Sequence, residues 1–115
     1  PLSADYAAAP ALHLDLEPLT ATARFTGDRL EVWAPTQAPE LARRAAAEAG
    51  SVPLRETTLY PMPVGGQGGR ALEADAIAVA VALAREVQRP VQVVFPRAQH
   101  IRQDKPRPPL IARLS

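Results

Sequence analysis

Hydrophobic and polar positions alternate from Ala11 onward, with Leu12, Leu14 and Leu16 on one side of the chain and His13, Asp15 and Glu17 on the other. A two-residue period predicts a half-buried strand with the leucines turned inward, interrupted at Pro18. Residues 1–10 are small and polar with alanines, and are expected to be irregular. Residues 20–25 alternate again and are rich in threonine. A Gly27-Asp28 turn then leads into residues 29–34, where Leu30 and Val32 oppose Glu31 and Trp33. These two runs predict a β-hairpin.

After Pro35 the pattern becomes helical. Thr36 suits an N-cap, Pro39 is tolerated in a first turn, and Glu40 complements the helix dipole. The helix is expected to run through LARRAAAEA and to stop at Gly50 as its C′ residue. Residues 54–60 are apolar and threonine-rich, and read as a strand feeding the segment PMPVGGQGGR. In residues 72–88 the periodicity is ambiguous, because Ile77, Val79, Val81 and Leu83 fall at period two. Length, alanine content, Glu73 and Asp75 at the front and Arg85 near the back favour a helix. It is apolar on most sides and is expected to be largely buried. Arg89-Pro90 ends it, and VQVVF at 91–95 reads as a short strand. Beyond Pro96 the chain turns basic and proline-rich, with Arg97, Arg102, Lys105 and Arg107 against Asp104, before a final strand at residues 110–114. The resulting fold class is α+β: a two-layer domain of β-β-α-β-α-β type, with a mixed sheet and two helices on one face.

Composition narrows the function classes. A chain of 115 residues makes one domain, and 47% hydrophobic content argues against disorder. Much of that content is alanine, so helix contacts should be made by small residues. The formal charge is +1, from 13 basic and 12 acidic residues, so no overall field draws the chain to nucleic acid or to a membrane. The absence of cysteine excludes disulfides, thiolate metal sites, iron–sulfur ligation and cysteine nucleophiles. No run reaches the roughly 18 apolar residues of a membrane helix. The abrupt opening at Pro1 reads as that of a piece of a longer chain.

Few residues present themselves for chemistry. Gly65, Gly66, Gln67, Gly68 and Gly69 put four glycines into five positions. Such a turn brings bare N–H groups within reach of a ligand, or merely joins a strand to a helix. His13 and Glu17, with Asp15 between them, have a spacing that could suit a metal or an acid/base pair, but they also read as the solvated face of a strand. His100 has no obvious partner. Ser3, Asp5 and His13 do not fix a triad geometry. The basic tail could grip phosphate with steep salt dependence, or be a solvated terminus; the near-neutral charge counts against nucleic acid. Gln37 is a neutral amide at a strand-to-helix corner, free to meet a ligand or to help cap.

Taken together, LEVWAPTQAPELARRAAAEAG, then VGGQGGR, then a helix and RPVQVVF resemble the large subunit of molybdenum hydroxylases, the xanthine oxidase and aldehyde oxidase family. The likeness is nearest to the beta subunit of isoquinoline 1-oxidoreductase and related aldehyde dehydrogenases. HLDLEPLTATARF resembles that family's His-x-x-x-Glu-Pro segment, and the resemblance spans roughly residues 9–114.

The resemblance implies a molybdopterin-binding domain, residues 1–115, that contacts a molybdenum–molybdopterin cofactor. Gln37 matches the glutamine that lies beside the molybdenum. Gly65, Gly66, Gln67, Gly68 and Gly69 match a Gly-Gly-x-Phe-Gly loop whose backbone amides approach the cofactor. Gly68 stands where the family has phenylalanine. The parent reaction implied is hydroxylation of an aldehyde or N-heterocycle with oxygen from water. The implied partners are the remainder of the large subunit and an iron–sulfur small subunit. The family's catalytic glutamate lies in a Gly-x-Gly-Glu segment that this sequence does not contain, so the isolated chain is expected to be inactive, and homo-oligomers of it are plausible because its neighbours' contact surface would be bare. The alternative is a structural or assembly domain that keeps the fold without touching cofactor.

Overall fold

The expected hairpin forms the centre of the main sheet. The computed structural model describes residues 3–114; Pro1, Leu2 and Ser115 lie outside the described residues. β2 (Thr20–Thr26) and β3 (Arg29–Pro35) pair antiparallel, with Ala23 opposite Val32 and Phe25 opposite Leu30. Gly27 takes φ of 58° in the turn between them, a conformation that costs glycine nothing. β5 (Val91–Val94) adds antiparallel to β2, and β4 (Thr57–Met62) adds parallel to β3, giving the order β4-β3-β2-β5. A parallel neighbour requires a crossover, which α1 (Pro39–Ala49) supplies.

Both main helices, α1 and α2 (Asp75–Val87), cover one face of this sheet. The core is built from Ala21, Ala23, Leu30, Val32 and Ala34 of the sheet, Ala42 and Ala46 of α1, and Ile77, Ala80, Val81 and Ala84 of α2. Alanine at these positions keeps the layers close, as the composition implied. Gly50 sits where β3, α1 and α2 converge: a Cβ there would lie 3.0 Å from Leu30 Cδ2 and 3.2 Å from Val81 Cγ1. It ends α1 with right-handed backbone (φ −84°), and Ser51 takes the positive φ of 45° instead. Gly50 is therefore required for space rather than as a left-handed C′ residue.

The domain is α+β and two-layered as predicted, with a third short helix, α3 (Arg97–Arg102), and a second sheet. That sheet is a two-stranded antiparallel ribbon of β1 (Ala4–Ala8) and β6 (Leu110–Leu114), which helps to draw the molecule out to 67 × 30 × 22 Å. β1 falls where irregular chain was expected, because its hydrogen-bond partners come from the other end of the sequence. The basic tail is ordered though solvent-exposed: Arg107 donates to the Ala9 carbonyl at 2.8 Å, Lys105 meets Glu73 at 2.5 Å, and Arg113 meets Asp5 at 2.8 Å.

The strand expected over residues 11–17 does not form. Ala11 makes one isolated bridge to Arg107, and Leu14 takes φ of 47°, which breaks the alternation. The faces are consequently inverted: Leu14 and Leu16 are 63% and 82% exposed, while Asp15 is 2% exposed. Three element boundaries also move. Residues 54–56 form a 3-10 turn before β4. Another 3-10 turn, Arg70–Leu72, stands between the glycine segment and α2. Thr36 lies before the N-cap residue Ala38, whose N–H its hydroxyl accepts at 3.1 Å. Finally, α2 is buried on one side only, since Val79, Leu83 and Val87 remain exposed.

Candidate functional site

Because β3 and β4 run parallel, with Pro35 opposite Met62, the two segments that follow them leave the sheet at the same edge. One is the Thr36–Gln37 corner and the other is the glycine loop. They are stitched together at their base by the Ala71 carbonyl, which accepts the Gln37 N–H at 3.1 Å and the Thr36 hydroxyl at 3.3 Å. The structure thus brings the predicted glutamine corner to the turn that follows the predicted loop. The Gln37 residue itself is exposed.

Within the loop, Gly66, Gly68 and Gly69 adopt φ of 63°, 54° and 104°. The four glycines serve two different ends. A Cβ on Gly65 would stand 2.4 Å from Glu17 Oε1, and one on Gly66 would stand 2.9 Å from Leu16 Cδ1. These two are glycine because the Leu16-Glu17 segment lies against them. Around Gly68 and Gly69 the nearest atoms belong to His13, at 4.0 and 3.8 Å. There the requirement is conformational, since a Cβ would make only ordinary van der Waals contact with His13.

The backbone hydrogen bonds divide in the same way. The Gly65 N–H donates to Glu17 Oε2 at 2.9 Å, and the Gly66 carbonyl accepts the Leu16 N–H at 3.2 Å. The Gln67 and Gly69 carbonyls accept the Arg70 and Leu72 N–H groups at 2.7 and 3.1 Å. The four successive N–H groups of Gly66, Gln67, Gly68 and Gly69 find no acceptor among the described residues. Successive backbone N–H groups in turn conformations are the kind of donor that anion-binding concavities are made from. Gln67 as a whole residue is only 2% exposed and its Oε1 has no partner, so within the loop it is Gly66 and Gly68 that are exposed and Gly69 that is half-buried.

Beneath the loop lies an ionic cluster that pattern reading missed. The Arg70 guanidinium is fully buried, 2.5 Å from Asp75 and 3.6 Å from Asp104, and donates to the Gln103 carbonyl at 3.3 Å. Asp104 also takes two bonds from His13: the backbone N–H reaches Oδ2 and ring Nδ1 reaches Oδ1, both at 2.7 Å. Burial pushes the Asp104 carboxyl up, but the His13 backbone and ring N–H groups, the His13 charge and the Lys105 backbone N–H outweigh it and hold the group below its ordinary value. His100, which lacked a partner in the sequence, places Nε2 3.1 Å from Asp15 Oδ2, with both side chains buried. His13, Asp15 and Glu17 therefore point to three different partners and do not converge on a metal or an acid/base site. The one signal for the cluster was the run of polar residues between the leucines, which the strand reading assigned to solvent.

A concavity of about 640 Å³ is at the opposite end of the sheet, lined among others by Phe25, Gly27, Arg29, Arg55 and Arg85. It lies at the β2–β3 turn, away from the corner and the loop. Among the described residues no helix is long and apolar enough to cross a membrane.

Comparison with known proteins gives the family and the fold. The model of the molybdopterin cofactor-binding domain matches residues 2–115. A nicotinate dehydrogenase chain from Pseudomonas putida is 38% identical over 88 residues, covering 76% of this chain and 7% of that protein. The molybdenum-binding subunit of aldehyde oxidoreductase from Escherichia coli is 34% identical over 98 residues, covering 84% of this chain and 13% of that one. Among solved structures, quinoline 2-oxidoreductase from Pseudomonas putida superposes with a TM-score of 0.70 at 22% identity, over 86% of this chain and 13% of that one. Carbon monoxide dehydrogenase from Oligotropha carboxidovorans gives 0.69 at 20% identity, over 85% and 13%. These two share the fold. The fold and the family match define a cofactor-binding domain of the molybdenum hydroxylase class of oxidoreductases. The chain belongs to the molybdopterin cofactor-binding domain family, and it spans about a tenth of the length of the relatives it matches.

Proposed function

We propose that this chain is the part of a larger oxidoreductase subunit that touches the molybdenum cofactor, through Gln37 and the glycine loop, chiefly the backbone amides of Gly66, Gly68 and Gly69, with Gln67 buried between them. The observation that carries the reading is the row of four unpaired amides at the edge where β3 and β4 end. A phosphate-bearing pterin offers the anionic oxygens that such amides take, and a neutral side-chain amide such as Gln37 adds a donor without adding charge. The residues present fit the group. Gly65 is the exception in the loop, because its N–H already belongs to Glu17.

When bound, the cofactor supplies two-electron oxidation of a carbon centre with oxygen derived from water. This chain holds and orients it. The loop amides are fixed before the ligand arrives, by Glu17 on one side and by the Arg70 turn on the other, so little ordering is left to occur on binding. The substrates in this reading are aldehydes or N-heterocycles. The catalytic base and the electron acceptors come from the remainder of the subunit and from an iron–sulfur partner. The exposed side of α2, with Val79, Leu83 and Val87, is then covered by neighbouring parts of the subunit, and would drive self-association when bare.

The test is molybdenum and pterin content of the assembled enzyme carrying Gln37→Ala, or Gly66→Val with Gly69→Val. Loss of cofactor from folded loop variants supports the reading. Full retention in both means that the domain is scaffold without cofactor contact.

A further inference from the structure

We propose that His13 is a further ligand-binding residue of this site, its Nε2 meeting an anionic oxygen held by the Gly68 and Gly69 amides. The inference rests on the cofactor-contact reading above and extends it to a residue outside the loop.

Three observations converge on this ring. First, its orientation is fixed from one side only. Asp104 is an ionised acceptor, its Oδ2 taken by the His13 backbone N–H and its Oδ1 by ring Nδ1, each at 2.7 Å. The Nδ1 position therefore carries a hydrogen, and Nε2 is the nitrogen left for a ligand; to meet an anionic oxygen it must carry a proton as well and act as the donor. Second, Nε2 has no hydrogen-bond partner among the described residues, and the side chain is 25% exposed rather than sealed. Third, the ring stands directly over the uncrowded half of the loop. A Cβ on Gly69 would be 3.8 Å from Nε2, and one on Gly68 would be 4.0 Å from the ring carbon Cδ2. Those are the glycines whose conformation, not crowding, excludes a side chain, and their N–H groups are unpaired.

A ligand oxygen lying along Gly68 and Gly69 thus meets backbone donors from below and an imidazole nitrogen from the side. The buried Asp104–Arg70 contact at 3.6 Å anchors the carboxylate that holds the ring, so the arrangement is preset by the fold. This also gives the His-x-x-x-Glu segment one purpose at both ends, with Glu17 fixing the loop's first amide and His13 completing its last two.

The experiment uses the assembled enzyme and follows the rate at which molybdenum and phosphate-bearing pterin are lost on dialysis. His13→Asn retains a donor where Nδ1 meets Asp104 but has nothing at the Nε2 position. It is expected to remain folded and to lose cofactor about tenfold faster than wild type, as one lost charge-assisted hydrogen bond implies. An unchanged rate in His13→Asn, while Gly66→Val/Gly69→Val strips the cofactor, overturns the His13 assignment and leaves the loop reading intact. If wild type holds no cofactor, or the loop variant keeps it, the loop reading falls and this assignment with it. Should His13→Asn fail to assemble, His13→Gln decides, since its amide reaches the Nε2 position. Slower loss than from His13→Ala supports the assignment, and equal loss overturns it.

Discussion

The Glu17 carboxylate accepts the Gly65 amide at 2.9 Å, closing a contact between residues 48 apart in sequence. It explains why Gly65 must be glycine, since a Cβ would displace that same carboxylate. Glu17→Ala and Gly65→Ala should therefore remove one shared interaction. Each is expected to cost about 1–2 kcal/mol, with the double variant costing little more than either alone. Urea unfolding of the four proteins checks this; additive losses would mean that the two residues act independently.

The remaining glycines should respond differently from one another. Gly66→Ala combines positive φ with a 2.9 Å approach to Leu16 and is expected to cost about 2–3 kcal/mol. Gly68→Ala makes only ordinary contact with His13 and bears the conformational penalty alone, about 1 kcal/mol. Gly68→Asn should cost less again, because asparagine tolerates the left-handed region. Equal losses at 66 and 68 would contradict the division of the loop into a packed half and an uncrowded half.

Asp104 ties the N-terminal segment to the tail, and its stabilisation should depend on acid. Its unfolded carboxyl titrates near 3.8 and the folded group lower. The contribution is complete above about pH 4 and is lost as pH falls through the folded value. Asp104→Asn is expected to cost about 2–3 kcal/mol at neutral pH, and the gap from wild type should narrow below about pH 4. Thermal melts at stepped pH would reveal it; a constant gap down to about pH 2 would count against the ion pair.

How far the sequence could be read depended on how local the cause was. The β2–β3 hairpin, α1, α2 and β5 follow from period, turn residues and length, all contained in a few neighbouring positions. The glycine loop and Gln37 were visible as residue types, and their meeting through the Ala71 carbonyl follows from β3 and β4 being parallel. Residues 12–17 misled because the alternation is real but inverted. Leu14 at positive φ turns the leucines outward, and Asp15 is drawn inward by His100, a partner 85 residues away. No window of the sequence contains that pair. β1 failed for the same reason, since β6 supplies its hydrogen bonds.

That inversion has its own test. Leu14→Lys is expected to change stability by less than about 0.5 kcal/mol, as for an exposed site. Asp15→Ala should cost about 1–3 kcal/mol, because it leaves the buried His100 Nε2 without its partner. A half-buried strand with inward leucines would give the reverse order.

The central claim is that the amides of Gly66, Gly68 and Gly69 are free in the protein and taken by the cofactor. Amide hydrogen exchange of the segment spanning residues 62–70 tests it most directly, compared between cofactor-free and cofactor-loaded enzyme. The account expects fast exchange at the Gly66, Gly68 and Gly69 amides without cofactor and marked slowing with it, while Gly65, already bonded to Glu17, changes little. Equal exchange in the two forms would contradict the account.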